Sequence, residues 1–282
     1  MAPPMAVAAD PLGPQVILGF CDLNGASLKA IGSLDAAPGC AASTSLLEFP
    51  GLDGCRAAFG DDSGTVEAAC STASVTSIRT KEGQPAQVSI IAINAALPEE
   101  QQAAACAAIV NLVAASQAGH RAGGGGGGIP GAAQPCLTVL ASTLLQASAR
   151  AGVHAWCSPA ASTLPLASAL ASPCAPLLPT MPVHDNMLAL LQHMATATGV
   201  AAVFLLAPGH RPPAGSDAAE ESGAGCSALL GAFSPALSSA AAQQAGLSGV
   251  VAVQLERAAR MTLRAPWFVD AREGARHGVM YA

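Results

Sequence analysis

Apolar runs separated by turn signals organise the chain into alternating strands and helices. Val16-Ile17-Leu18-Gly19-Phe20-Cys21 has strand length and is closed by the turn-forming cluster Asp22-Leu23-Asn24-Gly25. Helix-compatible residues resume from Ala26 to Leu34, so this region reads as strand, turn, helix. From Ala41 to Cys70, Pro50, Gly51, Gly54, Gly60 and Gly64 break the pattern. Irregular structure is expected there, with one short strand at Ser45 to Phe49. Val75 to Arg79 and Val88 to Ile93 flank Glu82-Gly83-Gln84-Pro85 and predict a β-hairpin with a longer loop.

Leu97-Pro98-Glu99-Glu100-Gln101 sets proline and two acids before an alanine-rich stretch that reaches about Ser116. Proline suits the first helical position, and carboxylates favour the positive end of the helix dipole. Six consecutive glycines, Gly123 to Gly128, lie within 117–134, a stretch expected to form a flexible insertion because it buries too little surface to repay its ordering entropy. Cys136 to Leu140, Val153 to Cys157 and Val200 to Leu206 read as buried strands, and Ser158 to Pro179 as a connection. Asp185 is placed to cap a helix reaching about Thr198, with Met187, Leu188, Leu191 and Met194 on one face. A loop is expected over about 207–225, then weaker helices over Ala228 to Ala245 and Val250 to Leu263. The alternation predicts one α/β domain, a central sheet flanked by helices, over 15–270. It is preceded by a disordered lead, 1–14, and followed by a tail, 271–282.

Composition narrows the function. Of 282 residues, 51% are hydrophobic but only 3% aromatic and 11% charged, so the apolar excess is alanine and small aliphatics. The longest strongly apolar stretch falls short of a transmembrane helix, and no membrane span is expected. With a net charge of −6 and only Lys29 and Lys81 as lysines, the chain lacks a broad cationic surface, which argues against nucleic acid as a partner. Arg257, Arg260, Arg264, Arg272 and Arg276 cluster late, as a docking surface or as solvated helix charges. Nine cysteines, an odd number without a C-x-x-C pair, read as free thiols in a reducing compartment.

Catalytic signatures are missing where the sequence invites them. The glycine run has no Gly-Lys-Ser/Thr after it, and Gly60-Asp61-Asp62-Ser63-Gly64 sets its serine one place too late for a nucleophile elbow. His184-Asp185 invites a metal or acid/base reading, but helix capping accounts for it. His193 is not at the spacing of a zinc pair with His184. No metal, cofactor or catalytic residue is assigned.

Near the end stands the only tyrosine, Tyr281, between Met280 and Ala282. Met280-Tyr281-Ala282 offers an apolar side chain, an aromatic ring with a hydroxyl, and a carboxylate, all recognition elements for a partner pocket.

With these segments in place, the chain resembles the family of proteasome assembly chaperone 1. The resemblance rests on ordered motifs: Val16-Ile17-Leu18-Gly19 leading into Asn24-Gly25-Ala26; Ala96-Leu97-Pro98-Glu99-Glu100-Gln101-Gln102; Cys174-Ala175-Pro176-Leu177-Leu178-Pro179; Val183-His184-Asp185; and the final Met280-Tyr281-Ala282. It implies a non-enzymatic protein that pairs with proteasome assembly chaperone 2 and holds the α-subunit ring of the core particle during assembly. Met280, Tyr281 and Ala282 would then enter pockets between α subunits, blocking premature activator docking and off-pathway α-ring association. The expected location is the cytoplasm, with the nucleus and the surface of the endoplasmic reticulum as further places. Two rivals stay open: an α/β enzyme of phosphorylase or hydrolase type, and a small adaptor whose tail is incidental.

Overall fold

In the computed structural model the apolar runs become the central strands of a mixed sheet. It describes residues 7–8, 10–22, 25–49, 52, 55, 57–61, 71–123, 134–145, 152–178, 181–209 and 218–263. β1 (Val7–Ala8), β2 (Gln15–Phe20), α1 (Ala26–Gly32), β3 (Leu34–Ala36), β4 (Ala41–Glu48) and β5 (Phe59–Asp61) come first. β6 (Ala73–Arg79), β7 (Val88–Ile93), α2 (Glu99–Gly123), β8 (Cys136–Leu144), β9 (His154–Cys157), α3 (Pro165–Ala171) and β10 (Ala175–Pro176) follow. The chain continues with α4 (Asn186–Thr198), β11 (Ala202–Gly209), α5 (Ala218–Leu237), α6 (Ala240–Gln244), β12 (Val251–Val253), α7 (Leu255–Arg260) and β13 (Met261–Leu263).

Nine strands form the main sheet in the order β1-β4-β6-β7-β2-β8-β11-β9-β10. β7, β2, β8 and β11 run parallel at its centre, whereas β4 and β6 pair antiparallel on one side and β9 pairs antiparallel with β11 on the other. Strands covered on both faces have no solvent side, which is why β2, β8 and β11 read as nearly continuous apolar runs. The sheet divides the core in two. Leu28, Ile31, Leu166, Leu170, Leu229 and Phe233 from α1, α3 and α5 pack on one face. Ile109, Val113, Leu188 and Leu191 from α2 and α4 pack on the other.

The helix ends follow local chemistry. Asp185 accepts from the Leu188 backbone N–H at 2.8 Å and caps α4, as its position before the apolar face predicts. α4 stops at Gly199, whose φ of 68° lies in the left-handed region. A Cβ at Gly199 would meet nothing within 4 Å, so Gly199→Ala isolates the backbone cost. A loss of roughly 1–2 kcal/mol is expected in urea unfolding.

Several elements differ from the sequence expectations. α2 extends past Ser116 to Gly123, into the stretch read as an insertion, because Gln117 is buried and its side-chain amide exchanges two 3.1 Å hydrogen bonds with Ala201. Residues 124–133 lie outside the described residues. By length and composition α2 is apolar enough to cross a membrane, but one face, including Ala105, Cys106, Ile109 and Val113, packs in the core. β4 spans the whole of Ala41–Glu48 because β6 supplies its pairing. α3 interrupts the expected connection after Ser158, and α5 starts within the expected loop. The late helices are divided: α5 and α6 separate at Ser239, which caps α6, while β12 and β13 form by pairing with β3 and β5.

Candidate functional site

Two places on the described chain carry chemistry or shape beyond the needs of the core. The first is an apolar groove at the β9–β10 side of the sheet, with a cavity volume of ≈ 360 Å³. Trp156, Leu177, Leu178, Met181, Val183 and Gln192 line it. The segments around Leu177-Leu178 and Val183-His184-Asp185 therefore meet in space: one forms a wall and the other leads into α4. Leu178 is 51% exposed, and the Nε2 of Gln192 is buried without a hydrogen-bond partner. Below the groove, Trp156 meets Phe204 edge-on, with centroids 5.1 Å apart.

The second is a polar cluster at the carboxyl ends of the central strands. β2 and β7 are neighbours, yet α1, which follows β2, and α2, which follows β7, lie on opposite faces of the sheet. The helices that follow these neighbouring strands thus leave the sheet in opposite directions at the end of β2. Asp22 stands there at 1% exposure. Its Oδ2 accepts from the backbone N–H of Ser27 at 3.0 Å and of Ser142 at 2.5 Å, tying the start of α1 to the end of β8. Asp22 Oδ1, Ser142 Oγ and Thr143 Oγ1 are buried without hydrogen-bond partners.

Burial raises the Asp22 carboxyl to about 7, against the pull of its backbone donors, and the Asp185 charge adds to the rise. Asp185 is itself raised by burial despite the N–H groups at its helix end. Burial likewise pushes the Cys21 thiol well up, with Asp22 and Asp185 adding to it, and sets Cys106 at about 12 and Cys226 at about 11. These thiols are held in the protonated form and are poor nucleophiles.

Sequence-predicted residues divide between these places and the undescribed segments. Met280, Tyr281 and Ala282 lie outside the described residues, as do Arg264, Arg272, Arg276, Trp267 and Phe268. Arg257 pairs with Asp35 at 2.6 Å on the surface, in keeping with a solvated charge. His184 and His193 are exposed, and among the described residues no group of three His, Cys, Asp or Glu side chains could hold a metal. All eight described cysteines are free. Sequence reasoning treated Asp22 only as a turn residue and did not single out Ser142. An acid closing an apolar strand just before a helix was the available signal; its second partner lies 120 residues away.

No family model matches the chain, and no curated protein matches it. Solved structures do. A protein with unknown function from Thermoplasma acidophilum is 9% identical, with a TM-score of 0.51, covering 97% of this chain and 93% of that one. The monoclinic form of Pyrococcus furiosus PbaA, an archaeal homolog of proteasome-assembly chaperone, is 12% identical, with a TM-score of 0.50 and 100% of both chains covered. At these identities the likeness establishes a shared fold.

Proposed function

We propose that this chain is a proteasome assembly chaperone, in the role of chaperone 1. The observation that carries the reading is the correspondence of fold over both full chains with PbaA, an archaeal homolog of proteasome-assembly chaperone. The order of sequence motifs that resemble the same family supports it independently. In this reading the chain is not an enzyme. It pairs with proteasome assembly chaperone 2 and binds the α-subunit ring through Met280, Tyr281 and Ala282. Bound there, it keeps activators and stray α rings away until the mature core no longer favours its binding, a change of state driven by differential affinity. The groove beside Trp156 and Leu178 offers the apolar contact area that a protein partner needs.

A pull-down from the source cell with the intact chain and with a version lacking 280–282 tests this. Intact bait should recover α subunits together with a second chaperone, and the shortened bait should keep the chaperone and lose the α subunits. Recovery of no α subunits by either bait would sink the assembly role and bring the enzyme reading forward. Equal recovery by both would remove the tail from the mechanism.

A further inference from the structure

We propose that a second copy of this chain covers the groove beside Trp156, so that the protein forms a two-fold dimer through its β9–β10 side and the outer face of α4. Charge marks the surface. Between Arg150 and Arg211 the sequence holds a single Asp, Glu, Lys or Arg, namely Asp185, and that carboxylate is engaged by the backbone at the start of α4. Ala189, which lines the groove, is followed at helical spacing by His193 and Ala197, and all three are exposed. A helix face left to solvent ordinarily carries charged residues, as α2 does with the exposed Glu99, Glu100 and Arg121. The outer face of α4 carries none. Depletion of charge is the compositional mark of an interface core.

Shape and charge together choose a copy of the same chain as the occupant. The face carries its own knob and its own hole: Leu178, 51% exposed, stands at the rim of a groove of ≈ 360 Å³ walled by Trp156, Met181 and Val183. In a two-fold contact residue i meets j wherever j meets i, so each leucine enters the groove of the other copy. At a net charge of −6 two copies repel over the rest of their surfaces. On this side they meet without like charges opposed, whereas a different protein is selected through complementary charges that the face lacks. The Nε2 of Gln192 is buried at the groove without a hydrogen-bond partner among the described residues, and an acceptor from the second copy relieves that cost. Pro176 in the outermost strand, β10, has no N–H to offer, so the copies pack through side chains rather than by extending the sheet. A stable contact buries about 800 Å² per partner, more than the groove supplies, which is why the outer face of α4 belongs to it. This pairing does not depend on the proposed function.

Sedimentation equilibrium of the purified full chain, from low micromolar to about 0.2 mM, should show a reversible equilibrium between monomer and dimer. Leu178→Asp and Ala189→Glu each place a charge at an exposed position of this face and should each weaken dimerisation at least tenfold, with the circular dichroism spectrum unchanged. If Leu178→Asp folds poorly, Ala189→Glu carries the test, since its site is a solvent-facing helix position. Leu255 on α7 is 63% exposed, and Leu255→Asp should leave the dimer as it is. Raising sodium chloride from about 50 mM to about 500 mM should leave association as tight or tighten it, because the charges being screened only repel. A chain that stays monomeric at about 0.2 mM overturns the proposal and leaves the face to a different protein. A dimer that survives both substitutions, that Leu255→Asp disrupts equally, or that salt loosens overturns it as well.

Discussion

Asp22→Asn should flatten the fall in stability expected of the natural chain between about pH 4 and pH 7. The folded carboxyl titrates near 7 and an unfolded aspartate near 3.8, so between these values the unfolded chain has released a proton that the folded chain retains. Stability is therefore highest below the lower value, declines as pH rises through the window, and is level above the upper one. The difference of about three units corresponds to a stability change on the order of 4 kcal/mol. Asparagine keeps an oxygen for the Ser27 and Ser142 N–H groups but cannot ionise. Asp185 and the thiols of Cys21 and Cys226 are present in both proteins and cancel to first order. Urea unfolding at pH 4, 6 and 8 measures the gap between the two proteins. Parallel stability curves would show that Asp22 does not titrate in this window.

Phe204→Ala should cost about 3–5 kcal/mol. Phe204 is wholly buried on β11, between β8 and β9, and belongs to the apolar layer beneath α2 and α4. Removing the ring opens a cavity there and also loses its edge contact with Trp156, a pair contributing about 0.5–1.5 kcal/mol beyond area burial. Phe204→Leu refills much of the space without the aromatic contact and should fall between the two. Chemical denaturation followed by circular dichroism measures both, and a loss below about 1 kcal/mol for alanine would mean that the layer repacks freely.

The sequence was legible where one local rule decided the outcome. β2, β8 and β11 announce themselves as apolar runs because both their faces are covered, and Asp185 marks the start of α4 because capping needs only the next three residues. The hairpin of β6 and β7 is local as well. β4 was less legible: Ala42, Ser43 and Thr44 are exposed, and the strand exists because β6 offers it a ladder. β12 and β13 depend on β3 and β5, far back in the chain, and their short stretches read more easily as helix. α5 was legible only from Ala228 onward, and its first part was read as loop because Gly223 and Gly225 are poor helix formers; at Gly225 the missing side chain lets α5 approach α1. The polar cluster was the least visible, since Asp22 acquires its meaning only when Ser142 arrives beside it.

The place of β2 in the sheet also has a cost in time. Ile17 lies opposite Ile90 on one side and Thr138 on the other, so the earliest of the long strands is completed by the latecomers β7 and β8. On a ribosome adding roughly 5–20 residues per second, β2 waits on the order of ten seconds with both hydrogen-bonding edges open. A protein whose first apolar strand becomes a central one is therefore most vulnerable to wrong pairing while it is still being made. Loops of this length also slow refolding after dilution from denaturant, since closing them precedes the contacts that reward it.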